Sequence, residues 1–493
     1  MFLSNANVVL ISDNILPSDK LYGWARAAGP YRIATEIRKN GYTCQVIDCF
    51  TSLTEDEKSK LLNECVGDDT LMVGISSTFI AKDDDAMSPY PYDIEQMKQY
   101  FDTIKLKNPS TKIVYGGAKA DSRNAPGVDA IIVGLSDKAI IEYLKFLQGK
   151  NPFFTYESSD DFMIVDADNH NQGFNFVESK IQYEPEDNVK QQEVLPIEIS
   201  RGCIFKCSFC SFALNGKKKN DHIKKPETIR EEFIHNFEKY GATKYILLDD
   251  TFNDSIDKLE MLADVSQSLP FKLQVSAYMR LDLIRAHPRQ YQLLKDIGLY
   301  ACFFGIETLN YKSAQTIGKG LHPDKVVEEL HKFRDTMPEV GTSAGFICGL
   351  PYETKDSIIK WGAQLYNGDF PLDAFSMKPL YISQNQNKKY KSEFETDFDK
   401  WYTWKPSSIG PKWDNGSFDL PWAKWYADYF LFKARQVQRV GGWQSMMLEN
   451  VLPIGYNVHR RPLIDIMKEM DPSVIELEKR RYVDRLFTQV CDK

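Results

Sequence analysis

Leu195-Pro196-Ile197-Glu198-Ile199-Ser200-Arg201-Gly202-Cys203-Ile204-Phe205-Lys206-Cys207-Ser208-Phe209-Cys210 reads as a short apolar strand running into a glycine and three closely spaced cysteines. Three thiols in one short loop cannot all pair as disulfides, and they lie too close together to be independent core residues. Three also falls short of the four ligands of a closed zinc site. His222 lies twelve residues past Cys210 in a lysine-rich loop, away from finger spacing. An iron–sulfur cluster with one iron open to an outside ligand suits such a trio, an incomplete zinc site being the plainer alternative.

Downstream of this stretch, strand and helix patterns alternate. Strands are expected at Pro196–Ser200, Tyr245–Leu248, Leu273–Ala277, Ala301–Ile306, Thr342–Ile347 and Ala374–Pro379, and helices at 226–240, 256–268, 324–336 and 355–366. Six βα repeats predict a partial or curved barrel (195–385) whose carboxyl strand ends carry the chemistry. Upstream, residues 1–150 show the same alternation, with strands at Val8–Ser12, Cys44–Asp48, Leu71–Ser76, Lys112–Tyr115 and Ala130–Val133 and helices at 32–39 and 140–147. That pattern implies a parallel, doubly wound sheet. Its strand ends carry Ser12, Ser76-Ser77, Gly116-Gly117 and Gly134, small groups that let a large cofactor approach the backbone or that simply make tight turns. Residues 151–194 are polar and acidic, as in an inter-domain linker with room for one hairpin. In 386–493 the alternation stops. Six of the eight tryptophans fall within Trp401–Trp443, followed by helical periodicity, which reads as an aromatic helical cap over the barrel mouth or a pocket lining.

The charge of −8 speaks against broad nucleic-acid binding, which needs a basic surface. The N-terminus has no basic n-region and there is no run of eighteen apolar residues, so neither a signal peptide nor a spanning helix is expected, and the chain reads as cytoplasmic with reduced thiols. Cys44, Cys49, Cys65, Cys302 and Cys348 read as core thiols and Cys491 as terminal. Lys217-Lys218-Lys219 with Lys224-Lys225 reads as a solvated loop or as a rim steering an anionic partner. His459-Arg460-Arg461 reads as an exposed basic cluster.

The Cys-x3-Cys-x-aromatic-Cys loop behind a first strand resembles the radical S-adenosylmethionine (SAM) superfamily. The resemblance implies a [4Fe–4S] cluster on Cys203, Cys207 and Cys210, SAM chelating the open iron, and reductive cleavage of SAM to methionine and a 5′-deoxyadenosyl radical. It implies SAM contacts at Phe209, at Asp249, Asp250 and Thr251 after the second strand, and at Arg280 after the third. Further contacts follow at Glu307 after the fourth strand with Lys319 beyond it, and at Ile347 and Gly349 in the fifth-strand pattern Gly345–Glu353.

The doubly wound domain ahead of the barrel resembles the cobalamin-binding class of that superfamily, on Ala28–Ala34, Gly41-Tyr42, Val46–Asp48, Tyr115–Gly117 and Asp129–Gly134. That implies a Rossmann-like cobalamin-binding domain (1–150), with Ser12, Ser76, Ser77, Gly116, Gly117 and Gly134 as cobalamin contacts. One departure stands out: the class's Gly-Glu-Gly-Glu is here Gly134-Leu135-Ser136-Asp137. The implied activity is cobalamin-dependent methylation of an unactivated carbon in a small molecule or peptide, served by a flavodoxin- or ferredoxin-type reductant. A radical rearrangement or oxidation is the alternative, and a non-catalytic SAM- or cobalamin-binding protein a third. No residue is singled out as a catalytic acid, base or nucleophile.

Overall fold

The computed structural model describes residues 3–13, 26–48, 50, 53–78, 80, 94–122, 125–159, 162–217, 222–385, 387–406 and 412–436, with Ser473, Arg480 and Asp484. Trp443, Lys218, Lys219, Cys49, Cys491 and His459–Arg461 lie outside these, as does most of the helical periodicity expected beyond 436.

Short β-branched runs make the first sheet: β1 (Val8–Ile11), β2 (Cys44–Ile47), β3 (Met72–Ser76), β4 (Lys112–Gly117), β5 (Ala130–Val133), β6 (Glu157–Ser158) and β7 (Met163–Asp166). Their order is β2-β1-β3-β4-β5-β7-β6, all parallel except the β6–β7 hairpin. The chain reverses direction across the sheet between β1 and β3, the place where open α/β sheets leave a crevice for a ligand. The β6–β7 hairpin lies in the stretch read as a linker, and β7 pairs with β5 over Ala130↔Met163 to Val133↔Asp166. The first sheet therefore runs past residue 150. Alternating apolar residues, Phe162, Ile164 and Val165 among them, earn that extra strand a place on the sheet although the flanking loops are acidic.

The second sheet is β8 (Leu195–Ile197), β9 (Lys244–Leu247), β10 (Gln274–Met279), β11 (Leu299–Glu307), β12 (Gly341–Cys348) and β13 (Ala374–Pro379), parallel and in sequence order. Its outer face meets the helices between the strands. Tyr245 packs on Phe233, Phe304 on Phe333 and Phe346 on Trp361, with ring centroids 4.7, 5.1 and 5.3 Å apart. Because side chains alternate across a strand, Leu248, Tyr278, Phe303, Ile347 and Lys378 share the inner face of this partial barrel. β8 stops three residues early for a local reason: the Ile199 and Ser200 N–H groups donate to the Asp249 carboxylate, not to a neighbouring strand.

After β13 the chain makes a hairpin, β14 (Thr403–Lys405) and β15 (Lys412–Asp414), and the helix Leu420–Gln436. This helix covers the edge strand β13, with Phe430 against Phe375 at 5.7 Å. No helix among the described residues is long and apolar enough to cross a membrane.

Candidate active site

The three cysteines lie in a loop closed on itself at the mouth of the second sheet. Cys203 N–H donates to Leu214 O at 3.2 Å, Lys217 N–H to Cys203 O at 3.0 Å and Gly216 N–H to Phe205 O at 3.1 Å. Each sulfur faces a donor. Cys203 Sγ accepts from Phe205 N–H at 3.4 Å and lies 3.3 Å from Thr251 Oγ1. Cys210 Sγ accepts from Asn215 Nδ2 at 3.3 Å, and Cys207 Sγ lies 3.7 Å from Arg280 Nη1. None of the three forms a disulfide, and burial pushes the Cys203 and Cys210 thiols up.

That donor set fits a cluster. Donors aimed at sulfur stabilise thiolate charge, and thiolates are the form that binds metal. Around one zinc at about 2.3 Å the sulfurs would crowd onto a single point, and among the described residues no three His, Cys, Asp or Glu groups do so. One thiolate on each of three irons keeps the sulfurs apart.

The strand ends around this loop divide into groups open to the mouth and groups already engaged. Asp250 is exposed at the mouth beyond β9. Desolvation by the surrounding protein, then repulsion from Asp249 and Glu198, pushes its carboxyl up to about 6. Thr251 stands beside Cys203, and Phe209 packs half-buried against the core. Glu307 holds φ +70, a left-handed conformation that costs a non-glycine residue about 1–3 kcal/mol. Its Oε1 lies 3.4 Å from Lys319 Nζ, which also donates to Gly305 O at 2.8 Å. Burial raises the Glu307 carboxyl and Lys319 opposes the rise. Ile347 faces the inner side.

Three of the expected SAM contacts are occupied by the protein itself. Asp249 is 1% exposed; it accepts from Ile199 N, Ser200 N and Ser200 Oγ, and Lys258 Nζ lies 3.3 Å away. Arg280 is tied to Asp282 at 3.0 and 2.6 Å and to Gly318 O at 2.9 Å, its guanidinium stacked 3.9 Å over Phe205. Gly349, at φ +120, leaves the space that Trp413 fills: a Cβ there would sit 2.2 Å from the indole. Trp413 donates to Leu380 O and Tyr402 OH to Gly349 O, so the aromatic region seals the mouth at β12 and β13.

Behind Asp249 lies a buried group that the sequence reading missed: Lys258 contacts Asp249, Asp254 at 2.6 Å, Ser200 Oγ and Thr251 O. A lysine in the first turn of a helix opposes the helix dipole, and that oddity was the available signal. Glu353, the last residue of the Gly345–Glu353 pattern, is a second buried charged group at the mouth. It accepts from Gly349 N, Leu350 N and Thr308 Oγ1, and burial pushes it up to about 7.

At the mouth of the first sheet, Ser12, Ser76, Ser77, Gly116, Gly117 and Gly134 come together. Ser77 N–H donates to Gly116 O at 2.9 Å, and Gly134 N–H to Gly117 O at 3.2 Å. Gly117 has φ +129, and a Cβ on it would come within 2.7 Å of Ser77 Oγ. Among the described residues, Ser77 Oγ is buried with no hydrogen-bond partner. A backbone cradle with an orphaned hydroxyl suits a large ligand rich in amides, as cobalamin is. From beyond β13, Lys389 pairs with Asp166 and Asp168 at 2.5 and 2.7 Å, and Asn385 donates to Asp121 at 2.7 Å. Lys389 Nζ and Tyr390 OH each lie 3.3 Å from where a Cβ on Gly134 would stand.

The family model for the radical SAM superfamily matches residues 197–362. An uncharacterized methyltransferase of Pyrococcus horikoshii is 29% identical over 163 residues, 32% of this chain and 34% of that protein. The chain spans 34% to 53% of the length of the curated relatives it matches. The radical S-adenosylmethionine methyltransferase TsrM of Kitasatospora setae, solved with tryptophan substrate and a SAM analogue, superposes with TM-score 0.64 over 94% of this chain and 99% of that one, at 12% identity. The cobalamin-dependent S-adenosylmethionine radical enzyme OxsB, solved with aqua-cobalamin and SAM, gives TM-score 0.56 over 80% of this chain and 55% of that one, at 14% identity. At such identities the likeness is one of fold, and it extends over both sheets. The family match runs from the strand before the three cysteines to the helix after β12, so residues 197–362, set behind a doubly wound sheet, are similar to the radical SAM superfamily.

Proposed function

We propose that this protein is a cobalamin-dependent radical SAM methyltransferase acting on an unactivated carbon of a small molecule or peptide. The observation that carries the reading is the placing of two ligand mouths side by side. The chain leaving the barrel mouth at β13 runs directly to Gly134, Asp166 and Asp168 at the mouth of the first sheet.

In this reading Cys203, Cys207 and Cys210 hold a [4Fe–4S] cluster, and Thr251, Asn215 and the Phe205 N–H donate toward their sulfurs. Asp250, Glu307 and Lys319 take the polar groups of SAM, and Phe209 and Ile347 its adenine. Asp249, Arg280 and Gly349 act one step back, holding the strand ends in place. Ser12, Ser76, Ser77, Gly116, Gly117 and Gly134 cradle cobalamin. When bound, the cluster supplies the electron that cleaves SAM to methionine and a 5′-deoxyadenosyl radical, and cobalamin supplies a transferable methyl group. Leu248, Tyr278 and Phe303 give the barrel an apolar inner wall that receives the substrate and excludes water from the radical. The electron comes from an external donor of flavodoxin or ferredoxin type.

The test is purification without oxygen, reconstitution with iron, sulfide and hydroxocobalamin, and assay of metals and nucleosides. Bound cobalt beside iron and sulfide in the ratio of a [4Fe–4S] cluster, with release of 5′-deoxyadenosine on reduction, is the expected result. Iron without cobalt would leave radical rearrangement or oxidation in place of methyl transfer. Cofactor binding without nucleoside release would leave a binding protein.

A further inference from the structure

Four charged side chains form a closed ring between the two halves of the molecule. Arg32, on the helix Ala28–Lys39, donates through Nη1 to both oxygens of Glu198 at 2.9 Å, and its Nε lies 2.6 Å from Asp137 Oδ1. Arg201 donates through Nη1 to Asp137 Oδ2 at 2.9 Å and through Nη2 to Glu198 Oε2 at 3.1 Å. Cations and anions alternate, so every charge faces two of the opposite sign. All four side chains are nearly buried, Asp137 at 1% exposure and Arg32 at 9%. The Arg201 guanidinium also lies 4.4 Å over the Phe176 ring. Against the cost of burial, Arg32 and Arg201 hold the Glu198 carboxyl well below the usual carboxylate range.

Stability alone does not account for such a ring. Buried ion pairs recover little more than their desolvation cost, and apolar residues of similar volume hold an interface at least as well. What two planar guanidinium groups add is direction, because each lies between two carboxylates, one from each half of the molecule. The ring's place in the chain says what is being directed. Asp137 lies three residues after Gly134, in the loop at the first mouth, and Arg201 lies two residues before Cys203. Two members come from each half, and the pairs Arg32–Glu198 and Arg201–Asp137 both cross between them.

We infer that Arg32, Asp137, Glu198 and Arg201 are positioning residues that set the separation and orientation of the Gly134 loop against the Cys203 loop, and through them of cobalamin against the cluster. This rests on the cofactor assignment proposed above. The departure from Gly-Glu-Gly-Glu at Gly134–Asp137 thus keeps an acid where the ring needs one.

The experiment uses the full chain reconstituted with iron, sulfide and hydroxocobalamin, then reduced so that cob(II)alamin and the cluster are both paramagnetic. Their magnetic interaction, read by electron paramagnetic resonance, reports distance and orientation. The wild type is expected to give one defined splitting. Asp137→Asn, and Arg32→Lys with its charge kept and its fork lost, are expected to lose that single splitting while keeping iron and cobalt content. The double variant Asp137→Asn with Arg201→Gln removes one charge of each sign. It is expected to melt at the wild-type temperature and still lack the splitting, whereas a merely stabilising role would restore both. Should a single variant fail to fold, this double variant decides. Wild-type splitting in folded, loaded variants would overturn the inference, as would loaded wild type with no magnetic interaction. Wild type that takes up iron but no cobalt would instead overturn the cofactor assignment on which the inference stands.

Discussion

The two mouths of this molecule are both built at the carboxyl ends of parallel strands, yet they use opposite chemistry. The first offers backbone. Its turn is held by Ser77 N–H to Gly116 O and Gly134 N–H to Gly117 O, and its glycines let Ser77, Lys389 and Tyr390 come close to the backbone. The second offers side chains: three thiols, Asp250, the Glu307–Lys319 pair, and a buried layer of Asp249, Lys258 and Asp254 behind them. In the proposed reading the contrast follows from ligand size. A macrocycle must lie against the protein over a wide area, which excludes side chains. A compact cluster with SAM upon it needs point charges and sulfur ligands at defined places.

If the two mouths are separate in chemistry, removing one donor set should spare the other. Cys203→Ala is expected to abolish iron loading and 5′-deoxyadenosine release, while hydroxocobalamin binding stays within about twofold, as for sites that share no partner. Parallel loss of cobalamin binding would break the comparison, because the cradle would then depend on the thiol loop. Iron content and an optical titration with hydroxocobalamin check both arms.

The second expected difference is in pH response. At the barrel mouth the β12 exit is held by Glu353, buried at 1% and raised to about 7 by that burial. An unfolded glutamate titrates near about 4.3. The folded state therefore holds the proton more tightly than the unfolded chain. The stability so gained is full below about 4.3 and is lost as pH rises through about 7, about 4 kcal/mol at about 1.4 kcal/mol per unit. Glu353→Gln is expected to flatten that part of the melting-temperature profile between pH 5 and 7.5. An unchanged slope would mean that Glu353 is ionised in the folded protein. The backbone bonds of the first mouth do not titrate and contribute no such slope.

Local order was largely legible in the sequence, since hydrophobic period and glycine stops act over a few residues. Apart from β6 and β7, the strands of both sheets stand where the apolar runs put them, and the three cysteines do fall in one loop at a strand end. What escaped depends on partners far apart in the chain. Arg32 meets Glu198 across 166 positions, and neither residue is unusual in its own neighbourhood. Gly349 reads locally as a turn glycine, but its missing Cβ is the seat of Trp413. Asp249 and Asp250 are identical in type and adjacent, yet alternation along the chain sends one into the β8 backbone and the other to the mouth. A periodic pattern says which side chains share a face. It does not say which of them a distant residue has already engaged.

The smallest expected effect is also the sharpest test of the backbone cradle. Ser77 Oγ is buried without a partner among the described residues, and a buried polar group left unpaired costs about 1–3 kcal/mol. Ser77→Ala removes that group with little change of volume, so it should stabilise the protein free of cobalamin by about 1 kcal/mol. If the hydroxyl is kept for the ligand, the same change should weaken hydroxocobalamin binding by about tenfold, the equivalent of one lost hydrogen bond. The two effects carry opposite signs, which separates a ligand contact from a packing defect: a packing defect would give the gain in melting temperature with no loss of affinity. At the barrel mouth no comparable trade is expected, since each thiol sulfur there already has a donor within 3.7 Å.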